Sequence, residues 1–150
     1  MAIDAGRLVR WYGLLLGAGL ALEGGLLLAL DGLRLGLPFA TGDARHNALH
    51  LVWGVIILGL LLTSRTVRRA ALVAIVFGVF YSLLAILGVL VTRPFGLVLG
   101  PGENAFHFIV GPLALALGLW GYASSSSSSA ANRAATASSA STGSGSAAGR

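Results

Sequence analysis

Four long apolar stretches decide what this chain can become. They lie near residues 11–30, 47–63, 70–91 and 104–122, separated by short segments rich in Gly, Pro, Arg and Asp. A helix rises about 1.5 Å per residue, so about 20 residues cross the ~30 Å hydrocarbon core of a bilayer. The first, third and fourth stretches are long enough alone. The second becomes so with its polar front, residues 44–48. Backbone in lipid must satisfy itself, which leaves helices or closed barrels. These stretches lack the two-residue alternation of barrel strands and are about twice their length. Charged residues make up only 10% of the chain, against roughly 25% in soluble domains, so most of the surface is not built for water. The expected fold is therefore all-α, a four-helix transmembrane bundle of two tandem helical hairpins. Its spans fall at 11–30, 44–63, 70–91 and 103–122, within a membrane domain of residues 1–122. The remainder, 123–150, is Ser, Ala and Gly with two Arg. It lacks apolar surface to bury and is expected to be a disordered cytoplasmic tail.

Charge sets the expected orientation. Arg7 and Arg10 precede the first span, Arg65, Arg68 and Arg69 lie between the second and third, and Arg133 and Arg150 follow the fourth. Arg34, Arg45 and Arg93 lie at the opposite end. The excess of Arg marks the cytoplasmic side, so both termini are expected there, in a multi-pass protein of the plasma membrane. Trp11, Tyr12, Trp120 and Tyr122 then fit an aromatic belt at the inner interface. The apolar run from Trp11 to Leu30 exceeds the core of a cleavable signal peptide, which favours a retained span. The loop "GLRLGLPF" is expected on the membrane surface. With no Cys in the chain, disulfides, thiolate metal sites and covalent haem attachment are excluded. The expected partner is the lipid bilayer. A net charge of +5, placed at span ends, is no signal for nucleic acid.

Small residues suggest how the helices meet. Gly13 and Gly17 form a GxxxG pair, and Ala70, Ala74, Gly78 and Ser82 recur at four-residue spacing. Such faces allow close packing, within the chain or against a second copy in a homo-oligomer. Pro112 is expected to kink the fourth span, because it cannot donate to the carbonyl of Phe108.

The chain also writes one phrase twice. "HNALHLVWG" at 46–54 and "ENAFHFIVG" at 103–111 align with an offset of 57. In each, an Asn precedes a His by three residues and a Gly follows by four. Each copy opens a helix running in the same direction, as expected for a tandem duplication whose halves are related by a pseudo-twofold axis along the membrane normal. Counting about 1.5 Å per residue from the inner interface puts Glu23 about 18 Å up, Tyr81 about 16 Å, His50 about 22 Å and His107 about 20 Å. Asn47 and Asn104 sit one turn above their His on the same helix face. The spacing thus predicts a polar cluster of Glu23, Asn47, His50, Tyr81, Asn104 and His107 in the outer half of the bundle.

Three kinds of chemistry fit this cluster. The first is a structural or interaction protein in which the two Asn–His faces meet as a hydrogen-bonded latch, with Glu23 and Tyr81 nearby; buried polar groups in lipid need partners. The second is a redox or metal protein. Here His50 and His107 hold a b-type haem, or His50, His107 and Glu23 hold a divalent metal. The third is a small transporter or proton pathway through Glu23. The latch is the first expectation, without a cofactor and without enzymatic activity. His46 reads as a solvated loop residue. Asp43 and Glu103 suit the positive starts of their helices, and Asp43 can cap. No phosphate loop, Ser–His–Asp arrangement or catalytic carboxylate pair is present.

On the two phrases the chain resembles a family of small four-span membrane proteins of high-GC Gram-positive bacteria, a domain of unknown function. "HNALHLVWG" is similar to that family's H-N-x-x-H-x-x-x-G motif, and "ENAFHF" to its acidic-N-x-x-H motif. His46, Asn47, His50, Gly54, Glu103, Asn104 and His107 fall on motif positions, with Glu103 where Asp is commoner. The resemblance covers residues 7–122. It implies membrane location and four helices, brings no activity, and gives His46 more weight than its place near a loop suggests.

Overall fold

A computed structural model of the protein describes residues 4–33, 43–63, 66–91 and 93–143. Among them are four long helices and no strand: α1 (Ala5–Gly32), α2 (Ala44–Thr63), α3 (Val67–Leu90) and α4 (Pro101–Gly143). A single 3-10 turn, Pro94–Gly96, lies between α3 and α4. All four helices are long and apolar enough to cross a membrane. Leu15, Leu22, Leu62, Val89, Leu90 and Ile109 point outward. In water such a surface would drive association, whereas in lipid it is the solvent-facing side. The protein is a helical membrane bundle.

The span boundaries shift for local reasons. The α1 helix starts before residue 11 because the Asp4 carboxylate accepts from the backbone N–H of Gly6, at 2.9 Å, and of Arg7. That cap adds nearly two polar turns to the apolar span. The α2 helix begins and ends where the sequence places it. The α4 helix does not stop at 122 but continues to Gly143. Serine hydroxyls usually compete with helical backbone. Here those of Ser124 and Ser126 to Ser129 each donate to the carbonyl four residues back, and that of Ser125 donates to Tyr122. The run thereby satisfies its side chains inside the helix. Residues 144–150, and most of the expected surface loop at 32–39, lie outside the described residues.

The chain packs as two hairpins, α1 on α2 and α3 on α4. Across the hairpins α1 touches both α3 and α4, whereas α2 and α4 stand diagonally opposite. Buried positions on α1 are Ala5, Gly6, Val9, Gly13, Gly17, Leu20 and Gly24, one stripe at helical spacing. Leu61 packs opposite Gly13, and Ile57 opposite Gly17. A Cβ at Gly54 would meet the backbone of Ala21 and Gly17, so α1 and α2 touch nearly main chain to main chain. The second hairpin closes the same way. Gly78 faces the backbone of Leu115, and Gly111 faces Ser82 and Tyr81. Gly54 and Gly111 are the equivalent glycines of the two phrases, so each phrase carries its own close-packing point. The small-residue faces Gly13–Gly17 and Ala70–Ala74–Gly78 are occupied within the chain.

Tyr12 departs from the interfacial position expected of it. It is half-buried, packs against the core and donates its hydroxyl to the carbonyl of Val110 at 3.1 Å, tying α1 to α4 two residues before Pro112. Trp11 and Trp120 do face outward. Tyr122 accepts a hydrogen bond from Arg68, whose guanidinium lies 5.6 Å above its ring.

Candidate metal centre

Every helix delivers a polar side chain to one region between α2 and α4. The α1 helix supplies Glu23, α2 supplies His46 and His50, α3 supplies Tyr81 and α4 supplies His107. The reason is periodicity. His46 and His50 are four residues apart and share one helix face, and the same face of α2 continues through Gly54, Ile57 and Leu61. The diagonal placement of α2 and α4 leaves their side chains, rather than their backbones, to fill the middle.

The three histidines are the centre of this region. His46 is 2% exposed, His50 4% and His107 0%. Ring centroids are 4.4 Å apart for His46 and His50, 5.5 Å for His46 and His107, and 6.3 Å for His50 and His107. One nitrogen from each ring can be chosen so that all three lie within 4.8 Å of one another. Nε2 of His46, Nε2 of His50 and both nitrogens of His107 are buried without a hydrogen-bond partner. Buried polar atoms normally have partners, and leaving one without costs roughly 1–3 kcal/mol.

Glu23 fixes the tautomer of one ring. Its Oε2 lies 3.0 Å from Nδ1 of His50. With the carboxylate ionised, Nδ1 carries the proton and donates, and the lone pair is left on Nε2, the buried atom without a partner. The Glu23 side chain is itself 51% exposed, at the edge of the bundle rather than in its middle. This is the arrangement in which a carboxylate orients a metal-binding imidazole from behind.

Above the histidines, the Asp43 carboxylate joins the two hairpins. Oδ1 accepts from the backbone N–H of His46 at 2.8 Å and caps α2. Oδ2 accepts from the N–H of Val98 at 3.0 Å, in the segment that leads into α4. Burial works to raise this carboxyl, but the N–H groups of His46, Val98 and Arg45 outweigh it and hold Asp43 below the usual carboxylate value. The cap keeps the first turn of α2 in place and with it His46.

Several expectations change in the structure. Glu23, His50, Tyr81 and His107 do converge, as depth counting requires: Tyr81 lies 5.0 Å from His107 and 6.2 Å from His50, ring to ring. His46 is not a solvated loop residue, because the Asp43 cap starts the helix at Ala44 and turns His46 inward. The group of side chains that could hold a metal ion is accordingly His46, His50 and His107, while Glu23 stands behind His50. Among the described residues no hydrogen bond joins the two Asn–His faces across the bundle. The Asn104 amide donates to the carbonyl of Gly88 at 3.1 Å and closes its own hairpin, while Asn47 is buried beside the α1 contact at Gly24. The histidines make no hydrogen bond to one another among the described residues; they meet edge to face. A haem plane between His50 and His107 would need the volume filled by the rings of His46, Tyr81 and Phe106, so the donor set fits an ion and not a macrocycle. The signal that could have found His46 was its four-residue spacing to His50.

No family model, curated protein or solved structure matches this chain.

Proposed function

We propose that this membrane protein binds a divalent transition-metal ion through His46, His50 and His107, with Glu23 orienting His50. One observation carries the reading: three imidazoles from diagonal helices bring unpartnered, buried nitrogens to within 4.8 Å of one another. Neutral imidazoles suit Zn, Cu, Fe and Ni better than Mg or Ca. An ion bound at about 2.0–2.1 Å holds tetrahedral nitrogens about 3.3 Å apart, so binding draws nitrogens now within 4.8 Å together by up to about 1.5 Å. The Arg asymmetry supports a plasma-membrane orientation with both termini cytoplasmic, which puts the ion in the outer half of the bilayer.

Metal analysis of detergent-purified protein, followed by titration with Zn(II) and Co(II), tests this. One ion per chain is expected, with a tetrahedral Co(II) spectrum and stabilisation that rises with free metal. His46→Ala, His50→Ala and His107→Ala should each abolish tight binding. Protein that takes up no metal, yet loses stability non-additively in the same variants, would return the cluster to a purely structural role.

A further inference from the structure

The three histidines leave a tetrahedral ion one position short, and Tyr81 stands next to it. Tyr81 is the one hydroxyl-bearing ring in the cluster. It is 0% exposed, and its hydroxyl is buried without a hydrogen-bond partner. Its ring contacts His107 edge to face at 5.0 Å and lies nearly parallel to His50 at 6.2 Å. It also stacks on Phe77 at 4.1 Å, a contact that restrains its plane. Tyrosine is usually buried with its hydroxyl bonded, because desolvating that group alone is costly. Among the described residues the metal-ligating group holds three nitrogens and no carboxylate oxygen. Structural zinc sites are closed by four protein ligands, whereas three protein ligands and an exchangeable small molecule mark an open one.

We propose that the ion keeps an exchangeable fourth position, taken by water, hydroxide or a small anion, and that the Tyr81 hydroxyl hydrogen-bonds the molecule bound there. This rests on the three-histidine reading above. The ligand class follows from the surroundings. Ring centres of His46, Tyr81 and Phe106 lie 4.4–6.2 Å from that of His50 and 5.0–5.9 Å from that of His107, a spacing that favours a ligand of a few atoms. The ion supplies positive charge and the hydroxyl one donor, which favours an oxygen or nitrogen atom bearing lone pairs. Tyr81 is then a positioning residue for that ligand and not a donor to the metal.

The test uses full-length protein loaded with Co(II), whose visible spectrum reports coordination. Wild type should show a spectral transition with pH, from ionisation of the bound water, and a further change on adding azide. Tyr81→Phe removes only the hydroxyl. It should still bind one Co(II) per chain, move the pH transition, and weaken azide by roughly fivefold to tenfold, the value of one hydrogen bond. A wild-type spectrum indifferent to both azide and pH would overturn the open position. Loss of Co(II) affinity in Tyr81→Phe, with a phenolate charge-transfer band in wild type, would make Tyr81 a ligand and also overturn it. Tyr81→Phe identical to wild type in azide affinity and pH transition would remove Tyr81 from the site. Failure of wild type to bind Co(II) at all is a different result, since it refutes the histidine site itself.

Discussion

Glu23 shows how one residue divides two explanations of a buried charge. A carboxylate at membrane depth is costly, so depth alone suggests pairing or protonation. The pairing is with His50, and the side chain is half exposed at the edge of the bundle. If its task is to hold Nδ1–H of His50, the acceptor matters more than the charge. Glu23→Gln keeps an acceptor oxygen and should retain most metal affinity. Glu23→Ala removes it, frees the ring and should cost about 10–100-fold in affinity, the usual effect of removing such a partner. Isothermal titration with Zn(II) on both variants decides. Equal, large losses in both would mean that the negative charge itself holds the ion.

At the scale of the helices, the two glycines of the repeated phrase do the same work. Gly54 lets α1 and α2 touch, and Gly111 lets α3 and α4 touch. Without a hydrophobic drive between helices in lipid, close packing of this kind supplies much of the association. Gly54→Ala and Gly111→Ala should each force the helices apart. About 1–3 kcal/mol of destabilisation is expected, from overpacking against backbone that cannot give way. Gly59→Ala makes the control, since a Cβ there meets nothing within 4 Å. Unfolding in detergent measures all three, and a Gly54→Ala protein as stable as the control would mean that the hairpin has room to spare. This scale also shows how far the sequence could be read. Four helices, their order and the depth of Glu23, His50, Tyr81 and His107 follow from length and rise per residue. The role of His46 does not: the start of α2 follows from Asp43, but that this first turn is covered and not solvated depends on how the bundle packs around it. Asn104 was equally beyond reach: its partner is a main-chain carbonyl at Gly88, and carbonyls have no signature in a sequence. Nor does the end of α4 follow from composition, since serine hydroxyls bonding back to their own helix look in a sequence like a loop.

For the whole molecule, sidedness decides what reaches the site. The histidines lie near the ends of the bundle where α2 and α4 begin, below the Asp43 link between the hairpins. If those ends face outward, the proposed ion would be loaded from the extracytoplasmic side; if inward, from the cytosolic pool. The four spans among the described residues are even in number, so the expectation is that both termini share a side, and the Arg asymmetry gives the expected one. By sequence, seven Arg precede the first span, lie between the second and third or follow the fourth, against three in the other two connections. Reporter fusions after residues 38 and 97 should therefore read external, and those after 66 and 135 cytoplasmic. The pairs are informative separately. Agreement within each pair with the opposite sign would keep the bundle and reverse the loading side. Disagreement between 38 and 97 would break the pairing of the hairpins and, with it, the meeting of His46 and His50 with His107. Replacing Arg65, Arg68 and Arg69 together by Gln removes three of the seven charges that set orientation. It should produce mixed readings at all four positions without weakening metal binding in purified protein, because Arg68 and Arg69 open α3, at the opposite end of the bundle from the histidines.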